Sequence, residues 1–198
     1  QALDATTGAA IWRFDTTPQA ARTVINRDGV QMWGPSGAVV WNSPTIDVKR
    51  GALYFGTGQN SSSPATDTSD AIIALDLKTG AKRWIFQALA DDAWNAACLS
   101  GGASCPVENG PDFDFGASVM LVARKQGDLL LAGHNHRAST HHAHDLVTDA
   151  GPALVIQAGT ATSTRVRGEH QSFNRIIVNG ENVEVTLIGW HHTEFRDE

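Results

Sequence analysis

No run of lysine or arginine occurs anywhere in this chain, and no apolar stretch is long enough to span a bilayer. The first absence removes the electrostatic footprint that nucleic acid or an anionic lipid surface needs: 15 basic residues face 21 acidic ones, for a net charge of −6. Cysteine is scarce. Cys98 and Cys105 stand alone in CLSGGASCP, without the CxxC or CxxCH spacing of a zinc clip or a covalent haem. A short disulfide between them is geometrically possible, and two separate buried thiols are the alternative. Neither a signal-peptide pattern nor a methionine stands at Gln1, from which a processed or excised N-terminus is expected. What remains is a globular composition, 41% hydrophobic and 18% charged over 198 residues, enough for one sizeable core or two small ones.

Histidine is missing from residues 1–133 altogether, while all eight lie from His134 onward; five of six tryptophans and both cysteines come before that point. Such a step predicts a boundary near Gly133, with one unit over residues 1–133 and another over 134–198.

A repeat is visible in the first unit. ALDATTGAAIW (Ala2 to Trp12) and ALDLKTGAKRW (Ala74 to Trp84) share A-L-D-x-x-T-G-x-x-x-W. Each predicts a hairpin in which Thr-Gly supplies the positive-φ turn and the second strand ends in a large aromatic. Between them WNSPTIDVKRGALYFGTG predicts strand, Lys-Arg-Gly turn, strand. Four strands from one Asp-x-x-Thr-Gly to the next is the blade of a β-propeller. GASVMLVARKQGDLLLAG (Gly116 to Gly133) predicts two strands of a further blade, but no third copy of the repeat follows it. The expected fold is mainly β: about two incomplete propeller blades built of four-stranded antiparallel units, then a hairpin-rich segment.

These repeats, with WNSPTIDVKRGALYFGTGQN, SDAIIALDLKTG and DDAWNAAC…CPVENGPDFDFGAS, resemble the quinoprotein alcohol dehydrogenases, in particular the polyvinyl-alcohol dehydrogenase-like branch. The resemblance covers about residues 1–133. It implies pyrroloquinoline quinone (PQQ) and Ca²⁺ as cofactors and an alcohol as substrate, with hydride passing to the quinone. Trp41 falls at the position that stacks under the quinone. Gln59 falls at the amide residue that ligates Ca²⁺, usually Asn in the family, and Asn60 is the neighbour that could take its place; Ca²⁺ accepts neutral oxygens of this kind. Asp92, two residues before Trp94, falls at the catalytic base. Without the resemblance, Asp91 and Asp92 read as a solvated loop or a helix cap. The acidic Ca²⁺ ligand expected upstream lies before residue 1, and a basic residue expected after the LLLAG-like strand is absent, so the resemblance implies an incomplete and inactive fragment.

In the second unit GHNHRAS and ALVIQAGTATSTRVRGEHQSFNRIIVNGENVEVTLIGWHH resemble the C-terminal part of calcineurin-like metallophosphoesterases, over about Leu129 to His192. There His134 and His136 would bind a dinuclear centre of divalent ions such as Mn²⁺, Fe²⁺ or Zn²⁺, acting on a phosphoester, with Arg137 near the phosphate. Surface histidines are the plainer reading of the pair. The other ligand motifs are absent from residues 1–133, so with His141, His142 and His144 the pair could hold at most a stray ion. ALVIQAG predicts a short buried strand, and SFNRIIVNGENVEVTLIGW a hairpin around Asn-Gly with Val183, Val185 and Leu187 on one face. The quinoprotein resemblance implies the periplasm, in keeping with a disulfide, and the phosphoesterase resemblance the cytoplasm. Three readings therefore compete: an oxidoreductase fragment, a phosphoesterase fragment, and a non-catalytic chimera of the two joined at Asp128 to Gly133.

Overall fold

Both copies of the repeat close in the same way. Asp4 Oδ1 accepts the Thr6 and Thr7 N–H groups at 3.0 and 2.7 Å, and Asp76 Oδ1 accepts those of Lys78 and Thr79 at 3.0 Å each. Gly8 and Gly80 follow at φ 71° and 70°, in the left-handed region that a Cβ disfavours. The aspartate side chain imitates a backbone turn, so the hairpin register is set locally. In a computed structural model of the chain, which describes residues 1–122, 129–132, 138–142, 154–158, 170–179, 182–191 and 194–197, these turns join β1 (Ala2–Leu3) to β2 (Ala10–Trp12) and β9 (Ala71–Asp76) to β10 (Lys82–Gln87).

Strands β6 (Thr45–Asp47) and β7 (Ala52–Gly56) flank the Lys-Arg-Gly turn and pair antiparallel. With β9 and β10 they form an antiparallel sheet in the order β10-β9-β7-β6, a complete four-stranded blade. Between the hairpins, β3 (Ala21–Ile25) pairs with β4 (Gln31–Gly34), and β5 (Ser36–Gly37) with β8 (Asn60–Ser62).

The run AIIAL explains the position of β9. Every one of its apolar residues is buried, and alternate side chains enter two different cores. Ile72 and Ala74 pack with Tyr54, Trp84, Phe115 and Val119, while Ala71, Ile73 and Leu75 pack with Phe55 and are covered by Trp12 and Phe14. Trp12 crosses from the first hairpin to the second: its indole N–H donates to Leu77 O at 3.1 Å, and its ring lies where a Cβ on Gly80 would stand, 2.5 Å from the nearest ring atom. A strand apolar on both faces is therefore the middle layer of a stack, as radial repetition of blades requires.

The next layer differs from the expectation. Strands β11 (Met120–Val122) and β12 (Leu129–Ala132) pair antiparallel, as predicted for the opening of another blade. The sheet then continues with β14 (Leu154–Gln157) parallel to β12 and β13 (Ser139–His142) antiparallel to β14. Residues from both sides of Gly133 thus form one sheet in the order β11-β12-β14-β13. An unpaired β12 edge is a row of unsatisfied amides and carbonyls, and the Leu-Val-Ile run of β14 satisfies it. Val155 of β14 completes the core against Ile72 and Phe115.

Strands β15 (Ser172–Asn179) and β16 (Asn182–His191) form the Asn-Gly hairpin in register from Ser172↔Gly189 to Asn179↔Asn182, and β17 (Glu194–Asp197) adds a third strand. Val183, Val185 and Leu187 are half-buried, with Asn182 and Glu184 exposed between them. The sheet is tied to β14 by Asn174 Nδ2, which donates to Gln157 O at 2.8 Å, but Ile177 and Val178 remain exposed.

Candidate functional site

The segment Thr57–Asn60, just past the end of β7, is the spine of the site. Gly58 N–H donates to Val39 O, and Gln59 O accepts from Ala38 N–H, which ties the spine to the Trp41 segment. On the opposite side Asn60 N–H donates to Asp92 O at 3.0 Å and Trp94 N–H donates to Asn60 O at 2.8 Å, bringing the DDAW loop alongside. Bridges Gly58↔Asp114 and Asn60↔Ala93 fix the loop from Asp92 to Phe115 at both ends. Glycine is required at position 58, because a Cβ there would fall 1.8 Å from Asp114 Oδ1. Gly110 is equally constrained: its Cβ would fall 2.0 Å from Asp92 Oδ1.

Each residue singled out in the sequence can now be placed. Trp41 is 53% exposed, and its indole N–H is hydrogen-bonded to the Asp114 carboxylate. Gln59 is half-buried; its backbone N–H also serves Asp114, and its side-chain amide carries no hydrogen bond among the described residues. Asn60 is fully buried and committed: Nδ2 donates to Ser36 O at 3.1 Å, while Oδ1 accepts from Thr66 N–H and Thr66 Oγ1 at 2.7 and 3.0 Å. Both ends of that amide hold loops together. Asp92 is fully buried rather than solvated, so the plain reading as a surface loop acid fails. Its Oδ2 accepts from Phe113 N–H at 3.1 Å, and its Oδ1 has no partner. His134, His136 and Arg137 lie outside the described residues, as do Asp128 and Gly133 at the ends of the expected junction. Among the described residues no group of three His, Cys, Asp or Glu side chains is gathered as a metal ion needs.

Two carboxylates were not singled out in the sequence. Asp70, at the start of β9, is fully buried, and neither of its carboxyl oxygens has a hydrogen-bond partner. Burial pushes its pKa up to about 10, with the charge of Asp92 and then the charges of Asp114 and Asp112 acting the same way. Asp114 is half-buried. Desolvation and then the charge of Asp112 raise its pKa to about 6 against the hydrogen bonds from Trp41 and Gln59. An aspartate directly before the uncharged run AIIAL was the one signal for Asp70, since a strand buried on both faces gives its first polar residue no solvent to reach. Asp70, Asp91 and Asp112 all have positive φ, at 46°, 58° and 61°, a concentration of backbone strain around one cluster of carboxyls.

The rest of the loop is pinned from outside. Cys98 and Cys105 form a disulfide with a Cα–Cα distance of 4.8 Å, resolving the alternatives left by their spacing. Glu108 accepts hydrogen bonds from Ser63 Oγ and from Ala65 N–H. Asn95 caps the short 3₁₀ turn Ala96–Ser100 and donates to Ser61 O and Ser104 O.

Comparison with known proteins bears on the first part of the chain. A polyvinylalcohol dehydrogenase of Sphingopyxis sp. (strain 113P3) is 44% identical over 137 residues, 67% of this chain and 21% of that protein. A polyvinylalcohol dehydrogenase of Pseudomonas sp. is 39% identical over 127 residues, 64% of this chain and 20% of its own length. A lupanine 17-hydroxylase [cytochrome c] of Pseudomonas sp. is 35% identical over 148 residues, 64% of this chain and 21% of that protein. The chain spans about a fifth of the length of these curated relatives. No solved structure matches it, and the similarities to these dehydrogenases do not bear on the phosphoesterase resemblance of the later residues. The family model for the β-propeller domain of PQQ-dependent glucose/ethanol/alcohol dehydrogenases matches residues 1–104, and the chain belongs to that family.

Proposed function

We propose that this chain supplies one wall of the active site of a PQQ- and Ca²⁺-dependent alcohol dehydrogenase, in which Trp41, Gln59 and Asp92 act on cofactor and alcohol. The observation that carries this reading is a convergence. Residues 41, 59 and 92 come from three separate segments, and the Thr57–Asn60 spine hydrogen-bonds to the chain on either side of it. The residues present suit the cofactors in part: Trp41 offers an exposed indole to a planar ring system, and Gln59 an uncommitted amide oxygen of the kind Ca²⁺ accepts. Bound, the quinone would supply the hydride acceptor. Asp92 would accept the proton of the alcohol hydroxyl, while Phe113 N–H holds its Oδ2 in place.

One wall is not a whole site. Turnover is proposed for a propeller that holds this wall together with the rest of the site. A periplasmic setting is part of the proposal, supported by the disulfide. The test is reconstitution, with PQQ and Ca²⁺, of a complete propeller that carries this segment: Trp41→Ala should abolish quenching of tryptophan fluorescence by the quinone, and Asp92→Asn should leave it intact while removing alcohol oxidation. Quenching that survives Trp41→Ala, or oxidation that survives Asp92→Asn, would refute the assignment of that residue.

A further inference from the structure

We propose that Asp70 is a positioning residue for Asp92: the two buried carboxyls flank the Thr57–Asn60 spine beneath the site, and a proton held by Asp70 supplies the donor that orients Asp92. This rests on the reading of Asp92 as the base. Both side chains are completely withdrawn from solvent, and three of their four oxygens, both of Asp70 and Oδ1 of Asp92, have no donor among the described residues. Two carboxylates in such a place cannot both be charged, and one proton between them removes the repulsion and supplies the missing donor. The asymmetry of their surroundings decides which one keeps it. Asp92 Oδ2 receives the Phe113 N–H, which stabilises its charge, whereas Asp70 receives nothing. The other charged groups acting on Asp70, from the loop opposite, are Asp114 and Asp112, and both favour retention of the proton.

The backbone shows that Asp70 is held there deliberately. Its N–H donates to Gly58 O at 3.1 Å and its carbonyl accepts from Ala88 N–H at 2.9 Å, so it is clamped between the spine of the site and the end of the blade. At φ 46° it adopts a conformation that costs a non-glycine residue free energy, and the fold maintains it there.

The experiment is carboxyl titration of the full 198-residue chain labelled with ¹³C at aspartate, read by NMR without cofactor. At pH 7 one aspartyl carboxyl should be protonated in the native protein and missing from Asp70→Asn. In Asp92→Asn that carboxyl should lose its proton lower, by about one pH unit or more, because a negative neighbour is gone. Asp70→Asn, whose amide still donates to Asp92, should leave the Asp92 carboxyl resonance at pH 7 near its native position, whereas Asp70→Ala, which offers no donor, should displace it. A native chain with every aspartate ionised at pH 7, or a protonated carboxyl that persists in Asp70→Asn, overturns the proposal. Should either Asp70 variant fail to fold, the native chain against Asp92→Asn decides. Failure of the dehydrogenase reading would appear instead as absent cofactor binding, which these spectra do not involve.

Discussion

At the scale of single residues, Asp70 governs how the chain responds to pH. Its proton leaves near 3.8 in an unfolded chain but is held up to about 10 in the folded one. Between those limits folding takes up a proton, so stability falls as pH rises, by at most about 1.4 kcal/mol per unit for one full proton. Urea denaturation between pH 6 and 9 should show that decline in the native chain and a flatter profile in Asp70→Asn. Asp114, with its pKa raised to about 6, adds the same sign only below that pH. Asp4, Asp47, Asp76 and Glu108 are held low by hydrogen bonds and act oppositely, losing their contribution as acid protonates them. Glycine matters at this scale too. Gly110→Ala would place a methyl group 2.0 Å from Asp92 Oδ1, and a loss of roughly 1 to 3 kcal/mol in thermal or urea unfolding is expected, as for other overpacked sites.

Elements show where local pattern sufficed and where it did not. The Asp-x-x-Thr-Gly turns were legible because every group that closes them lies within five residues, and the same hydrogen bonds recur at Asp4 and Asp76. The all-apolar run of β9 announced a strand buried on both faces. Ile73→Ala should cost roughly 2 to 5 kcal/mol by chemical denaturation, since Phe14, Trp12 and Phe55 cannot collapse into the space left. The partner of β12 was not legible. Nothing in GDLLLAG states that its free edge will take up Leu154–Gln157 in parallel register, because such pairing is decided by which apolar strand is nearby. Reduction of Cys98–Cys105 should destabilise the loop carrying Asp92 by roughly 2.5 kcal/mol on the chain-entropy estimate for so short a ring, measurable as a lower melting temperature in reductant.

On the scale of the whole molecule, stability is expected to be graded along the stack. Amides of β9, buried on both faces, should be the slowest to exchange with deuterium, and those of β15 to β17, which leave Ile177, Val178 and Phe195 exposed, among the fastest. Equal protection across the two would contradict a core centred on the blade. The exposed apolar residues of the first hairpins, Leu3, Ile11, Val24 and Trp33, suit a chain that represents about a fifth of its relatives' length, where neighbouring blades would cover such faces.

By itself the sequence determined the turn chemistry, the strands of the blade, the family, and the identity of Trp41, Gln59 and Asp92 as the residues to examine, because each of these is written in contiguous motifs. Tertiary structure alone decided that Asn60 is spent on loop contacts, that strands on both sides of Gly133 share a sheet, and that Asp70 and Asp114 join Asp92. The reason is distance along the chain. A carboxyl at position 70 gains its meaning from carboxyls at 92 and 114 only when the spine at Thr57–Asn60 gathers all three segments and excludes the water that would otherwise keep them independent.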